Sequence, residues 1–339
     1  MLVIMEPEIE DYSLPTYKTI CNVMKARADK IVFRRVRKRI KAKRSQYYKF
    51  PVLKPNELNG ADLLIVFSPY ATSHKAKLWS QKYNIRLLHL EQGFLRKSVL
   101  CDIGGFWGES YIYLDIKNIL NNISQKKASE WFDLYTKYVL KNNISKRPQP
   151  NKYKKHMKRF IFLPMQYMND QSVLRFGNMP YPRFMGKVAK FCKRRKIDLL
   201  IKKHPHAYRK EIKNVNRAIR RVKKIHSRTF VVNGPIHRYC QDCLVMAGMN
   251  TGTIVDGLIN NTIMTHCGQS IFENSGAVIH DNNVMRGLEG ALTIKKCEDI
   301  YLQQKRMLYF LYHNYLLLEE QPFIPEYSNE QKLKRQLEF

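Results

Sequence analysis

Short apolar runs alternate with longer, basic, helix-like segments along most of this chain, and that alternation narrows the fold more than any other feature. Strands of a parallel sheet are buried on both faces and read as continuous apolar runs, and each parallel connection needs a crossover helix. The chain is therefore expected to be an α/β protein. In the first half the runs lie at Met1 to Met5, Ala61 to Phe67, Ile85 to Leu90 and Tyr111 to Leu114, with a basic helix or loop over Ile31 to Lys49. In the second they lie at Arg159 to Pro164, Ile197 to Lys202, Thr229 to Asn233, Cys243 to Ala247, Thr262 to Thr265 and Ala277 to Ile279. Helical spacing fits Tyr181 to Arg195, Arg209 to Lys224 and Thr253 to Asn260, and the tail from Ile300 to Leu318 reads as one long amphipathic helix.

A single core stops growing at roughly 250–300 residues, so 339 residues imply two domains. Lys141 to His156 loses apolar periodicity and carries two prolines, as a linker does. The expected division is 1–150, 151–299 and a helical tail over 300–339 that packs on the domains. No apolar run reaches the roughly 20 residues of a membrane span, and the first residues lack the pattern of a signal peptide. Seven scattered cysteines suit a reducing compartment better than a disulfide framework. These features lead us to expect a soluble, cytoplasmic protein. The balance of 60 Lys and Arg against 28 Asp and Glu invites an anionic partner: nucleic acid, a membrane face to which the protein associates peripherally, or a phosphate-bearing substrate.

In an α/β sheet, ligands bind outside the carboxyl ends of strands, so chemistry is sought just after each run. The run at Ile85 ends as LHLEQGF, with Glu91, Gln92 and Gly93; an acid at the end of a buried strand needs a reason in a chain short of acids. KKHPH follows the strand ending at Lys202, and Pro205 holds His204 out of helical geometry, where its ring can meet a phosphate or a hydroxyl. A solvated basic strand end is the equal alternative. GMNTGTIVDGL places Asn250, Thr251, Gly252 and Thr253 at a helix start, an arrangement suited to an anion, although an ordinary N-cap would use one of them. Asp256 is placed to reach a ribose hydroxyl or to be a solvated helix residue. FLPMQYMNDQS offers Gln166, Asn169, Asp170, Gln171 and Ser172 as a polar loop able to bond a sugar, on even terms with an ordinary loop. Cys240 and Cys243 form a CxxC without a second pair, which reads as coincidence. Neither an Asp-x-Asp motif nor a GxxxxGK[ST] loop is present.

In this order, EQGFLR, the polar loop, KKHPH and NTGT resemble the motifs of the capsule-polysaccharide biosynthesis glycosyltransferases. That family includes bacterial enzymes that add Kdo to capsule lipid anchors, and is related to glycan-building enzymes of large algal viruses. The resemblance implies a GT-B fold of two Rossmann-like domains facing a cleft. It also implies metal-independent transfer of a sugar from a nucleotide-sugar co-substrate to a hydroxyl of a glycan acceptor, with no cofactor. By position it makes Glu91 the catalytic carboxylate, His204 a phosphate contact and Thr251 and Thr253 the phosphate-binding hydroxyl pair, with Gln166 and Asp170 as the family's substrate loop and Arg96 in the continuation of the acid motif. Beside it, our reading of the residues gives Lys202, Asn250, Gly252 and Asp256 to the nucleotide and Gln171 to substrate. Gly252 between the hydroxyl residues, and Asp256 where relatives carry a glutamate, leave the donor open: a xylosyl, fucosyl or hexosyl donor on UDP or GDP, such as UDP-xylose, or CMP-Kdo. Two other classes compete. A nucleic-acid-binding protein would use the basic run from Phe33 to Lys49, with nucleic acid the less favoured partner; a catalytically inactive sugar-binding relative would keep the fold without the chemistry.

Overall fold

The computed structural model describes residues 1–5, 14–34, 53–67, 72–156, 158–205, 210–294, 297–319 and 322–338. His206 and all but the first two residues of the basic run Phe33 to Lys49 lie outside them. The chain divides into two compact units, Met1–Tyr111 with Leu311–Phe339, and Ile112–Phe310.

The first unit begins β1 (Leu2–Met5), α1 (Leu14–Arg27), β2 (Lys30–Phe33), β3 (Leu63–Phe67), α2 (Thr72–Tyr83), β4 (Arg86–Gln92) and β5 (Ser98–Asp102). The second runs α3 (Ile116–Asn121), α4 (Gln125–Lys141), β6 (Phe160–Pro164), α5 (Gln171–Leu174), α6 (Tyr181–Arg195), β7 (Asp198–Lys202), α7 (Lys210–Ile225) and β8 (Thr229–Val232). It continues through α8 (Ile236–Asp242), β9 (Val245–Met249), α9 (Ile254–Ile259), β10 (Met264–Cys267), β11 (Ile279–His280), α10 (Val284–Thr293) and α11 (Glu298–Phe310). The chain then re-enters the first unit with β12 (Leu317–Leu318) and α12 (Asn329–Glu338).

In the first unit the sheet order is β12-β5-β4-β3-β1-β2. β2, β1, β3 and β4 are parallel, and β5 and β12 add antiparallel. The parallel strands are apolar on consecutive residues because both faces are covered. Val3, Met5, Ile65 and Leu88 meet Ile20, Met24 and Leu333 on one face, while Ile4, Leu64, Val66 and Leu87 meet Leu58 and Ala76 on the other. Each such side chain contributes about 1.5–3 kcal/mol by leaving water.

All six strands of the second unit are parallel, in the order β11-β10-β9-β6-β7-β8. Numbered within the unit this is the Rossmann order 3-2-1-4-5-6, and the strand order reverses between β6 and β9, where a crevice for a ligand is expected. α6 shows how the sequence builds the covering layer. Tyr181, Phe184, Met185, Val188, Ala189 and Cys192 recur every three or four residues and are buried. The helix stops at Lys196, whose φ of 54° is left-handed.

Several expectations are corrected here. The division falls after Tyr111, not after residue 150. α4 buries Ala128, Phe132, Tyr135 and Val139, and Trp131 stacks on Tyr135 at 4.6 Å and meets the ring of Tyr309 edge-on at 5.6 Å. The apparent linker is bonded to the second unit: His237 Nε2 donates to the Ile144 carbonyl at 2.6 Å, and Ile236 N donates to Gln149 Oε1 at 3.2 Å. Tyr111 to Leu114 is a series of turns, because Tyr111 N is taken by the buried Asp102 and Leu114 points to solvent. Ile31 to Phe33 belongs to edge strand β2. The tail is not one helix: α11 ends at Phe310, and Leu311–Tyr315 forms a wider π turn before β12 pairs with β5. Lys332 of α12 holds that turn by donating to the carbonyls of Tyr312 at 2.6 Å and Leu316 at 2.8 Å, and burial pushes its ammonium down to about 7.

Candidate functional site

The second unit gathers its motifs at the carboxyl ends of β6, β7 and β9. β6 ends at Pro164, and Gln166 turns inward, giving Nε2 to the Asn250 carbonyl at 2.8 Å. Ser172 Oγ reaches the same carbonyl at 3.2 Å, and Asn250 Nδ2 returns a bond to the Ser172 carbonyl at 2.7 Å. Asn250 follows β9 with a left-handed φ of 45°, a conformation asparagine tolerates better than most residues. Its N–H is accepted by Nε2 of His266 at 3.2 Å. Burial, helped by His280, holds the His266 ring down to about 3, so it stays a neutral acceptor. Gly268, at φ +92°, leaves room for the Asn250 amide, which a Cβ there would approach to 2.8 Å.

The three glycines of GMNTGTIVDGL have different reasons to be glycine. A Cβ on Gly248 would come within 2.9 Å of Thr251 Cγ2, and one on Gly257 within 2.2 Å of Met264 Sδ, so the first lets the turn fold back on β9 and the second lets α9 pack on β9 and β10. A Cβ on Gly252 would meet nothing within 4 Å, and its φ is not left-handed. Among the described residues no neighbour demands glycine there. On this open turn Thr251 Oγ1 and Thr253 Oγ1 lie 2.8 Å apart, with Thr253 half-buried and Thr251 nearly enclosed.

His204, half-buried after β7, packs its ring 6.2 Å from that of Tyr167, the residue after Gln166. The loops after β6 and β7 are further joined by Met165 N donating to the Lys202 carbonyl at 2.8 Å. Lys202 turns inward, donating Nζ to the Gly234 carbonyl at 2.6 Å; burial lowers its pKa and Asp256 opposes that shift. Lys203 donates to Asn216 Oδ1 at 2.9 Å.

Asp256 does not face solvent as expected for a ribose contact. It is 4% exposed on the inner face of α9, and burial pushes its carboxyl up against the opposing pull of His237, Ser145, Lys202 and Lys146. His237 lies 3.9 Å away, accepting at Nδ1 from Asn260 Nδ2 at 2.9 Å. Asp170 caps α5, accepting from Ser172 N at 2.9 Å, and Gln171 is half-buried at its start. Gln166, Asn250 and Asp256 are thus parts of the support, while Gly252, Thr253 and His204 are half-buried. Sequence reasoning missed His266 and Ser172 as supports; the left-handed Asn250 that needs them has no signature beyond an asparagine after a strand. Cys240 and Cys243 are protonated thiols with pKa values raised by burial, and among the described residues no group of three or more His, Cys, Asp or Glu could hold a metal ion.

In the first unit, Glu91 is half-buried within β4, paired in register with Leu100 of β5. The strand continues to Gln92 and folds back as a hairpin, a partner strand that the basic turn Arg96-Lys97 hides in the sequence. Gly93 is needed for closeness and not for an unusual φ: its N donates to the Ser98 carbonyl at 2.8 Å, and a Cβ would fall 2.1 Å from Ser98 Oγ. Phe94 and Leu95 are buried, Phe94 edge-on to Trp107 at 5.5 Å, while Arg96 is exposed at the hairpin tip. Two residues along β5, Asp102 is a different kind of acid. It is fully buried and accepts from Gly104 N, Gly105 N, Tyr111 N, Ser110 Oγ and Tyr315 OH, so it ties the following loop to the returning segment.

No protein-family model and no curated protein matches the chain in sequence. Among solved structures, it is similar to two of KpsC from Thermosulfurimonas dismutans, one described as a β-Kdo 2,7 transferase and the other as a β-Kdo 2,4 transferase. Both match at 16% identity over 90% of this chain and 90% of theirs, with TM-scores of 0.54 and 0.55. A sheet in Rossmann order, a second doubly wound α/β unit in the same chain and this likeness together place the protein in the GT-B fold class, ending in a C-terminal helix.

Proposed function

We propose that this protein is a glycosyltransferase that moves a sugar from a nucleotide-sugar to a hydroxyl of a glycan acceptor, without a metal. The observation that carries the reading is the open turn at Gly252: it stands at the strand-order reversal of a Rossmann sheet, and nothing among the described residues requires its glycine. A glycine lets backbone approach a phosphate closely, and the reversal point is where such folds take nucleotides.

In this reading the second unit holds the donor. Thr253 and the N–H groups around Gly252 take phosphate oxygens, and His204 contributes a ring nitrogen. Lys202 adds positive potential from beneath. Together they stabilise the charge that grows on the departing phosphate, the task a metal performs elsewhere. Glu91 of the first unit takes the proton from the acceptor hydroxyl as it attacks the donor carbon, a step worth about 10²–10⁴ in rate. The charge on the departing nucleotide is balanced by this cationic surface, and the proton leaves through Glu91 to solvent. Gln171 and Arg96 remain the substrate contacts of the proposal. The donor is a UDP-sugar such as UDP-xylose, or CMP-Kdo.

The test is a donor screen. Release of free nucleotide is measured with UDP-, GDP- and CMP-sugars in the presence of glycan acceptors, with and without EDTA. Turnover that survives EDTA supports the reading; turnover abolished by EDTA removes the metal-free mechanism, and no turnover with any donor removes the enzyme.

A further inference from the structure

We propose that the second unit has another ligand site, a saccharide pocket for a sugar unit that carries an anionic group. It lies on the outer side of the loop after β6, and the loop separates it from the turn at Gly252. Gln166 and Ser172 of that loop face Asn250, while Met168, Asn169 and Leu174 line a cavity of about 530 Å³ whose other wall is α7. The inference stands on this cavity and makes no use of the nucleotide reading.

Its floor holds a buried acid. Glu211 is 6% exposed; Oε2 accepts from Asn169 Nδ2 at 3.0 Å, and Oε1 has no hydrogen-bond partner among the described residues. A buried acceptor left unsatisfied is costly, more so when charged, and the cost is removed if a bound ligand brings a donor. Asn214, Arg217 and Arg221 follow Glu211 at helical spacing and line the same cavity, so a carboxylate at the bottom gives way to guanidinium groups at an exposed rim. The remaining wall is apolar, with Met168, Leu174 and Met179.

A carboxylate and amides accept and donate to sugar hydroxyls, an apolar wall takes the C–H face of a ring, and paired arginines take a carboxylate in fork geometry. A bare phosphate suits the rim and is repelled by the floor. A neutral sugar suits the floor and leaves the rim unused. An acidic saccharide unit uses both.

The experiment is a calorimetric titration of the whole chain with digalacturonate and with the neutral disaccharide cellobiose. Wild type should bind digalacturonate saturably and about fivefold or more tighter than cellobiose. Glu211→Ala should weaken both about tenfold, the loss of a charged hydrogen bond. Arg217→Ala with Arg221→Ala should erase the preference while leaving cellobiose within about twofold, about 0.4 kcal/mol. Leu174→Trp, at an exposed position of the wall, should block both sugars without touching Glu211, which covers the case of a Glu211 variant that does not fold. No saturable binding to wild type, or binding unchanged in both Glu211→Ala and Leu174→Trp, overturns the proposal. So does a parallel loss of nucleotide affinity in these variants, since the cavity would then belong to the nucleotide site.

Discussion

The inner and outer sides of the turn between β9 and α9 are made from one short motif and do opposite things. Inside, Asn250 is fully buried and its amide and backbone are bonded to Ser172, Gln166 and His266, while Gly257 lets α9 lie against Met264. Outside, no described residue crowds Gly252, which lies beside the half-buried Thr253. The first unit repeats the contrast in two acids on neighbouring strands: Asp102 is buried under five donors and Glu91 is half-buried. In the proposed reading a polar residue at a strand end is therefore either a brace or a ligand contact, and burial separates the two.

The largest effect expected from breaking this contrast is on transfer. Glu91→Gln should lower turnover by about 10²–10⁴ while leaving the melting temperature and nucleotide affinity unchanged; normal turnover in the variant removes Glu91 from the chemistry. Asp102→Asn should do the reverse, costing about 3 kcal/mol of stability in a denaturant titration, because an amide cannot accept at both ends of its bond network. A stability loss below about 0.5 kcal/mol would mean that Asp102 is no brace.

The glycines sharpen the same contrast with smaller effects. Gly257→Ala drives a methyl into Met264 and should cost about 1–3 kcal/mol, while Gly252→Ala should change stability by less than about 0.5 kcal/mol. Equal costs would erase the distinction between the sides. The brace should also be acid-sensitive. His266 is held to about 3, below its ordinary value near 6.5, so the unfolded chain binds the proton more readily between those pH values. Stability present above pH about 6.5 is lost as pH falls toward 3, with a slope of at most about 1.4 kcal/mol per pH unit. His266→Gln should flatten that segment of a denaturation-versus-pH curve; an unchanged slope would contradict the neutral ring.

Much of the α/β pattern is legible in the sequence because parallel strands buried on both faces leave continuous apolar runs, as at Leu63–Phe67 and Phe160–Pro164. α6 matches its periodicity from Tyr181 to Arg195 for the same reason. What hides is what depends on distant partners. β5 needs β4 to be a strand, the break after Phe310 depends on the unit that the chain re-enters, and the stretch from Lys141 to His156 reads as a linker because its bonds to His237 and Ile236 are side chain to backbone. At the candidate site, the motifs do fall at the ends of β4, β6, β7 and β9. Their roles are not legible, since Asp256 and Gln166 look as available for a ligand as Thr253 until burial is known.

The central claim is that the open side of the Gly252 turn receives a nucleotide. It is tested most directly by titrating UDP, GDP and CMP into wild type and Gly252→Val, with the melting temperature of each free protein measured alongside. The account predicts saturable binding of one nucleotide to wild type and an affinity loss of about tenfold or more in Gly252→Val, with the two free proteins melting within about 2 °C of each other. Equal affinity in the two proteins, or no nucleotide binding to wild type, would contradict it.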